Sequence, residues 1–189
     1  MKVTVTNLTT LPVPLPGYIN VAASSSLELT NQPPEYVAAL KSHVDDGLIS
    51  VVLEEEVGDT NLMALGLRVV MNTTANPAAG VNTCAVGFSV QTIQGFKVKG
   101  VYNLQHGVYN DSEGLVAAAN AVLKTDAVNG KGSILAGEAS NLTKVKTDAN
   151  GEFACTLEDL VNETVTLISA ALPKSAALDC RDVDQVVFS

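Results

Sequence analysis

Between Cys84 and Gln91 the chain alternates without interruption, with Cys84, Val86, Phe88 and Val90 on one side and Ala85, Gly87, Ser89 and Gln91 on the other. A period of two belongs to an extended strand with one buried face; a helix would scatter these residues around its axis. The same signature recurs through the rest of the chain. Leu67–Met71, Phe96–Lys99 leading into Val101 and Tyr102, Leu142–Lys146, Glu152–Leu157, Glu163–Ala171 and Val183–Phe188 all read as short strands. Asp148-Ala-Asn-Gly151, between two of them, has the residue types of a tight hairpin turn. Leu115–Lys124 is alanine-rich, which favours helix, but its position suits a strand and it is read as one. The glycines and small polar residues of 126–140 predict an exposed loop. About seven short strands with frequent turns predict an antiparallel β-sandwich over residues 61–189.

Residues 1–57 predict a separate, small α+β module. Lys2–Asn7 alternates, with Val3 and Val5 on one side. Leu11-Pro-Val-Pro-Leu-Pro-Gly17 cannot be helix, because its prolines remove amide donors and push the preceding residues to extended geometry. It suits an edge strand, or an extended connection that turns at Gly17. Tyr18–Val21 and Ser26–Leu29 read as two more strands. A helix follows, with Asn31-Gln32 as caps, Pro33-Pro34 in its first turn and Glu35 where the dipole favours an acid. Val37, Leu40 and Val44 form its apolar stripe and Gly47 its stop. Leu48–Leu53 then returns beside the first strand. The run Glu54-Glu-Glu-Val-Gly-Asp-Thr60 reads as a solvated boundary, with the linker at 58–60.

Composition narrows the function. Only 16% of the 189 residues are charged, against roughly 25% in an ordinary domain. The surface must therefore rely on Thr, Ser, Asn, Gln, Gly and Ala. Eleven basic against 20 acidic residues give a net charge of −9 without any Lys/Arg run, which argues against nucleic acid as a partner. No apolar run approaches the roughly 20 residues of a spanning helix, so no membrane partner is expected. The alternating N-terminus lacks a basic head followed by an apolar stretch. It predicts the first strand of the mature protein, made and kept in a cytoplasm. The Asn-X-Thr sequons at Asn7, Asn72, Asn141 and Asn162 then follow from composition alone. Cys84, Cys155 and Cys180 are odd in number and irregularly spaced, fitting neither a disulfide framework nor a zinc site; they are expected as reduced core residues.

Catalytic constellations are scarce. His43 falls off the apolar stripe of its helix, and His106 in Leu-Gln-His-Gly-Val has no nucleophile signature beside it. The Cys84 and Cys155 thiols alternate with inward residues, where burial makes a thiol inert. Acidic groups at Asp45-Asp46, Glu54–Glu56 and Asp179, Asp182 and Asp184 read as solvated runs. Asp148-Ala-Asn-Gly-Glu152 lacks the ligand spacing of a calcium loop. Gly-rich phosphate loops, dinucleotide fingerprints and metalloprotease motifs do not occur. No enzyme activity, cofactor or metal is expected.

Two stretches resemble a known group. Met1-Lys-Val-Thr-Val-Thr-Asn-Leu8, with Pro-Leu-Pro-Gly17, Ser-Leu-Glu-Leu29, Tyr36-Val-Ala-Ala-Leu-Lys41 and Asp46-Gly-Leu-Ile-Ser-Val51, resembles a small N-terminal module of tailed-bacteriophage virion proteins. Val86–Val90, Phe96–Lys99, Thr147-Asp-Ala-Asn-Gly-Glu-Phe153 and Glu163–Leu167 resemble the immunoglobulin-like sandwiches of phage decoration, fibre and tail proteins. The resemblance implies a mainly β virion structural protein: a small α+β attachment module followed by an antiparallel immunoglobulin-like β-sandwich. It further implies a capsid decoration or head-fibre role on the outer surface of the particle. The partners would be the major capsid protein or another virion protein, and copies would form a homo-oligomer, a trimer by analogy. Neck, tail or baseplate components and surface adhesins are the competing classes. The candidate contact segment is Leu11, Pro12, Val13, Pro14, Leu15 and Pro16, which would add edge pairing to a neighbour or else close the module's own sheet.

Overall fold

The computed structural model of the chain describes residues 1–54, 67–73, 77–111, 113–125, 131–136, 142–171 and 182–189. These residues are mainly β and form two compact units. One is built from 1–54 together with 91–99, the other from 67–90 and the described residues beyond 100.

In the first unit, β1 (Lys2–Asn7) is the second strand of a four-stranded sheet. It pairs antiparallel with β4 (Ser26–Leu29) on one side and with β5 (Ile49–Glu54) on the other. Val3, Val5, Ile49 and Leu53 face inward and are buried, while Lys2 spans Glu28 and Glu54 on the opposite face. The strands β2 (Val13–Leu15) and β3 (Ile19–Val21) make a separate hairpin. Its turn places Gly17 and Tyr18 successively in the left-handed region (φ +79° and +63°), as a tight hairpin demands. Two short helices, α1 (Pro34–Ala39) and α2 (Lys41–Asp45), meet at Leu40 and bury Val37 and Leu40. The expected caps are not used: Pro33 occupies the N-cap position without a side-chain bond, and Asn31 is left-handed (φ +56°). Gly47 does end the helix, with the Leu48 amide donating back to the His43 carbonyl.

The second unit is a sandwich of nine described strands. One sheet runs in the order β10 (Ala121–Thr125), β13 (Glu152–Asp159), β7 (Thr83–Thr92) and β6 (Leu67–Thr73). The other runs β11 (Ser133–Ala136), β12 (Leu142–Lys146), β9 (Asn103–Tyr109), β14 (Thr164–Ala171) and β15 (Asp182–Val187). Alternation in β7 and β13 delivers Val86, Phe88, Phe153, Cys155 and Leu157 to the buried side, and β9 and β14 supply Leu104, Val108, Val165 and Leu167. Four strands against five, in this lateral order, is the spatial arrangement of a variable-type immunoglobulin-like sandwich. The connectivity differs, because edge strand β10 precedes in sequence the two strands, β11 and β12, that widen the five-stranded sheet.

Several sequence expectations need correction. The second unit is not continuous over 61–189. Residues 91–99 form a tight turn, closed by the Thr92 amide donating to the Phe96 carbonyl, and β8 (Val98–Lys99) then pairs parallel with β5 through Leu53–Val98. Val98 is buried there, filling the free edge that β5 leaves. The linker at 58–60 lies outside the described residues. Asp148–Gly151 is not a hairpin, since β12 and β13 belong to opposite sheets. It is an arch, held by Asp148 Oδ1 accepting from the Asn150 and Glu152 amides at 2.8 and 3.0 Å. Leu115–Lys124 is strand only from Ala121, and the loop expected over 126–140 contains β11.

Gly132 marks the step between sheets. Lys131 bridges to Ala154 of the four-stranded sheet, and Ser133 pairs with Lys146 of the other. At φ +75°, a Cβ on Gly132 would lie 2.2 Å from the Lys146 carbonyl oxygen. Gly80 has nearly the same φ, +79°, but open space around it. Gly80→Ala should therefore cost about 1 kcal/mol from backbone strain alone, and Gly132→Ala at least about 2 kcal/mol more. Thermal unfolding of the two variants tests this, and equal melting temperatures would rule out the steric account.

Candidate functional site

The candidate contact segment owes its position to one side chain. Asn7, at the end of β1, is 2% exposed. Its amide nitrogen donates to the carbonyls of Leu11, Val21 and Ala22 at 2.8, 2.9 and 3.0 Å. Its oxygen accepts from the Thr9 amide at 2.8 Å and lies 2.9 Å from the Thr9 hydroxyl. Asn7 thereby acts as a substitute for backbone pairing and ties both ends of the hairpin to the main sheet. Sequence reading missed it, treating Asn7-Leu-Thr9 only as a sequon. The visible signal was an asparagine two residues before a threonine at a strand end, the setting of an Asx turn.

Along the hairpin, Val13 and Leu15 are buried and Pro12 and Pro14 exposed, with Pro16 half-buried. Leu11 is 71% exposed and Tyr18, at the tip, fully so. The segment therefore closes onto β3 with one face and presents prolyl rings on the other. The parity of the ladder has a further consequence. Val13 pairs with Val21 and Leu15 with Ile19, so the backbone groups of 12, 14 and 16 point away from β3. All three are proline. The outer edge offers carbonyl acceptors and no N–H donor, so regular strand addition there is blocked.

Groups with chemical potential elsewhere are sealed or structurally engaged. His106 lies in β9 and is buried. Its ring stacks on Phe88 (centroids 3.9 Å apart, planes at 22°) and lies 5.7 Å from Phe153. Neither ring nitrogen has a hydrogen-bond partner. Burial holds its pKa down to about 3, so the ring is neutral. Opposite it on the neighbouring strands stand Thr143 and Ser169, also buried, but the Ser169 hydroxyl makes no bond to it. A serine–histidine pair without that bond is no activated nucleophile. Cys84 and Cys155 are buried, reduced thiols, and Cys180 lies outside the described residues. Asp159 is buried and accepts from the Val161 and Glu163 amides, which shapes the β13–β14 turn. His43 sits half-exposed on α2 beside Ser42. Asp179, Glu55 and Glu56 lie outside the described residues. Among the described residues no three His, Cys, Asp or Glu side chains converge as a metal site, and no helix is long and apolar enough to cross a membrane.

No family model matches the chain, and no curated protein matches it. Among solved structures, the D00-D0 domain of intimin is similar at a TM-score of 0.22 and 15% identity, over 70% of this chain and 82% of that one.

Asn7→Asp should destabilise the first unit by about 2–3 kcal/mol, because a carboxylate would face three carbonyls with nothing to donate. Unfolding by denaturant measures it, and a loss within experimental error would show that the hairpin is held by its apolar face alone. For His106 the sign is set by the neutral folded form. Between about 6.5 and 3 the unfolded chain binds a proton that the folded chain refuses, so stability falls as pH falls. Wild type should lose about 1.4 kcal/mol per pH unit more than His106→Phe across that window. Parallel curves for the two proteins would contradict the assignment.

Proposed function

We propose that the chain is a non-enzymatic structural protein of a tailed-bacteriophage virion, carried on the outer surface of the capsid as a decoration or head-fibre protein. Made in the host cytoplasm, it would bind the major capsid protein or another virion protein in repeated copies. The observation that carries this reading is the disposition of reactive groups: among the described residues, the histidine and cysteines of the sandwich are sealed in its core. What remains outside is a charge-poor surface of small polar residues, suited to lasting contact more than to turnover. The resemblance of the opening module to virion proteins supports the same reading.

Attachment is assigned to Leu11–Pro16, through side chains. Pro12 and Pro14 offer rigid apolar rings that lose no rotamer entropy on contact, with Leu11 beside them. The acidic balance of the chain suits a basic patch on the coat.

Electron microscopy of particles carrying labelled protein tests the proposal. Label should appear at regular positions over the shell, and the double change Leu11→Ser, Pro14→Ser should deplete it without lowering the melting temperature. Label confined to neck, tail or baseplate would move the protein to those structures. Particles free of label would end the virion reading.

A further inference from the structure

We propose that two copies of this chain associate through the outer edge of β4, so that two first-unit sheets join as one continuous antiparallel sheet about a two-fold axis. The inference rests on backbone parity and stands apart from the virion reading. The Asn7 amide donates to the Ser25 carbonyl, and the Leu8 amide to the Leu48 carbonyl. Odd positions of β1 therefore bond toward β4 and even positions toward β5. With Val5 opposite Leu27 and Val3 opposite Leu29, the backbone groups of Leu27 and Leu29 turn toward β1. Those of Ser26 and Glu28 turn outward.

Among the described residues no strand pairs with that side of β4, and no group accepts from the Ser26 or Glu28 amide. Sheet edges left in this state are templates for another strand. Two other edges are guarded: β2 with a proline at every outward position, and β11 with a register shift between Ile134 and Ala136. On β4 there is no proline, lysine or bulge. Its one charge, Glu28, is held by Lys2 at 2.9 Å.

The sequence of β4 favours its own copy as the occupant. In the register that sets Leu27 opposite Leu27 of the second copy, each Ser26 faces the other copy's Glu28. No like charges then oppose one another. Sliding the pairing so that Glu28 faces Glu28 would set carboxylates side by side, which is destabilising. Leu27 and Leu29 are only half-buried in one chain, so joining the sheets also removes apolar surface from water. An isologous pair uses up both edges and closes at two copies.

Sedimentation equilibrium of the full chain tests this, with concentrations raised to about 1 mM, the weak end of specific affinity. The mass should rise from 19.6 kDa toward twice that value. Ser26→Lys, which sets a cation against Glu28 of the second copy, should tighten the dimer at least about threefold, and Ser26→Glu should weaken it at least about tenfold. Ser26 is exposed and both variants lose the same 2.7 Å bond to Thr6, so their melting temperatures at low concentration should agree with one another. Glu28→Pro, which removes the outward donor together with the Lys2 ion pair, should abolish association, whereas Glu28→Gln, which loses the ion pair and keeps the donor, should not. A wild type that stays monomeric throughout, a mass of three chains, or identical dissociation constants for the two Ser26 variants would each overturn the proposal.

Discussion

The contact that joins the two sheets of the second unit is a neutral imidazole laid on Phe88 of the facing sheet, with Phe153 beside it. Phe88 and Phe153 are cross-strand partners in β7 and β13, and His106 stacks on that pair from β9. With no tryptophan in the chain, these three rings supply the flat, rigid bulk at the centre of the sandwich. The cost is a ring with two polar atoms left without bonds in the core, tolerable only while the imidazole carries no charge. Thr143 and Ser169 continue the row across neighbouring strands, so the inner face holds a polar stripe where aliphatic residues would pack more favourably. A core of this kind cannot double as an acid–base site. The ring is 1% exposed, and among the described residues no group bonds either nitrogen to orient a proton.

Around that core, the architecture depends on places where the chain changes sheets. Gly132 crosses between sheets because only a residue without Cβ can pass so near the Lys146 carbonyl. Asp148 makes the arch from β12 to β13 by capping two amides with one carboxylate oxygen. Both devices are local, and each lets the chain leave one sheet for the other. The first unit solves the same accounting problem with Asn7, whose amide serves backbone carbonyls that no strand reaches.

Strand identity was legible where a single face is buried. Cys84–Val90 and Glu152–Leu157 announce themselves because alternate residues enter one core. Pairing partners were not legible, since the period of two is the same for every strand. Hence Asp148–Gly151 carries the residue types of a hairpin while joining opposite sheets, and Phe96–Lys99 reads as part of the sandwich while Val98 pairs with Leu53. Pro12, Pro14 and Pro16 were visible as extended chain. Which way their missing donors point could be known only once Val13 and Leu15 were seen to pair with β3. His106 was unreadable for another reason: histidine in a strand is compatible with surface and core alike, and its neighbours decide.

The proline edge changes what kind of contact the hairpin can make. A strand that keeps its donors recognises any extended partner through its backbone, with side chains adding selectivity. A strand stripped of donors on its outer side can be recognised only through its surface, here Leu11 and the rings of Pro12 and Pro14. Those rings are held at a fixed angle by Asn7 and by the burial of Val13 and Leu15, so little freedom remains to be lost when a partner settles on them. The same unit leaves the edge of β4 open, with outward amides at Ser26 and Glu28. The unit therefore carries two unlike edges: on β2, in the two-stranded sheet, the outward positions lack donors, and on β4, in the four-stranded sheet, they keep them.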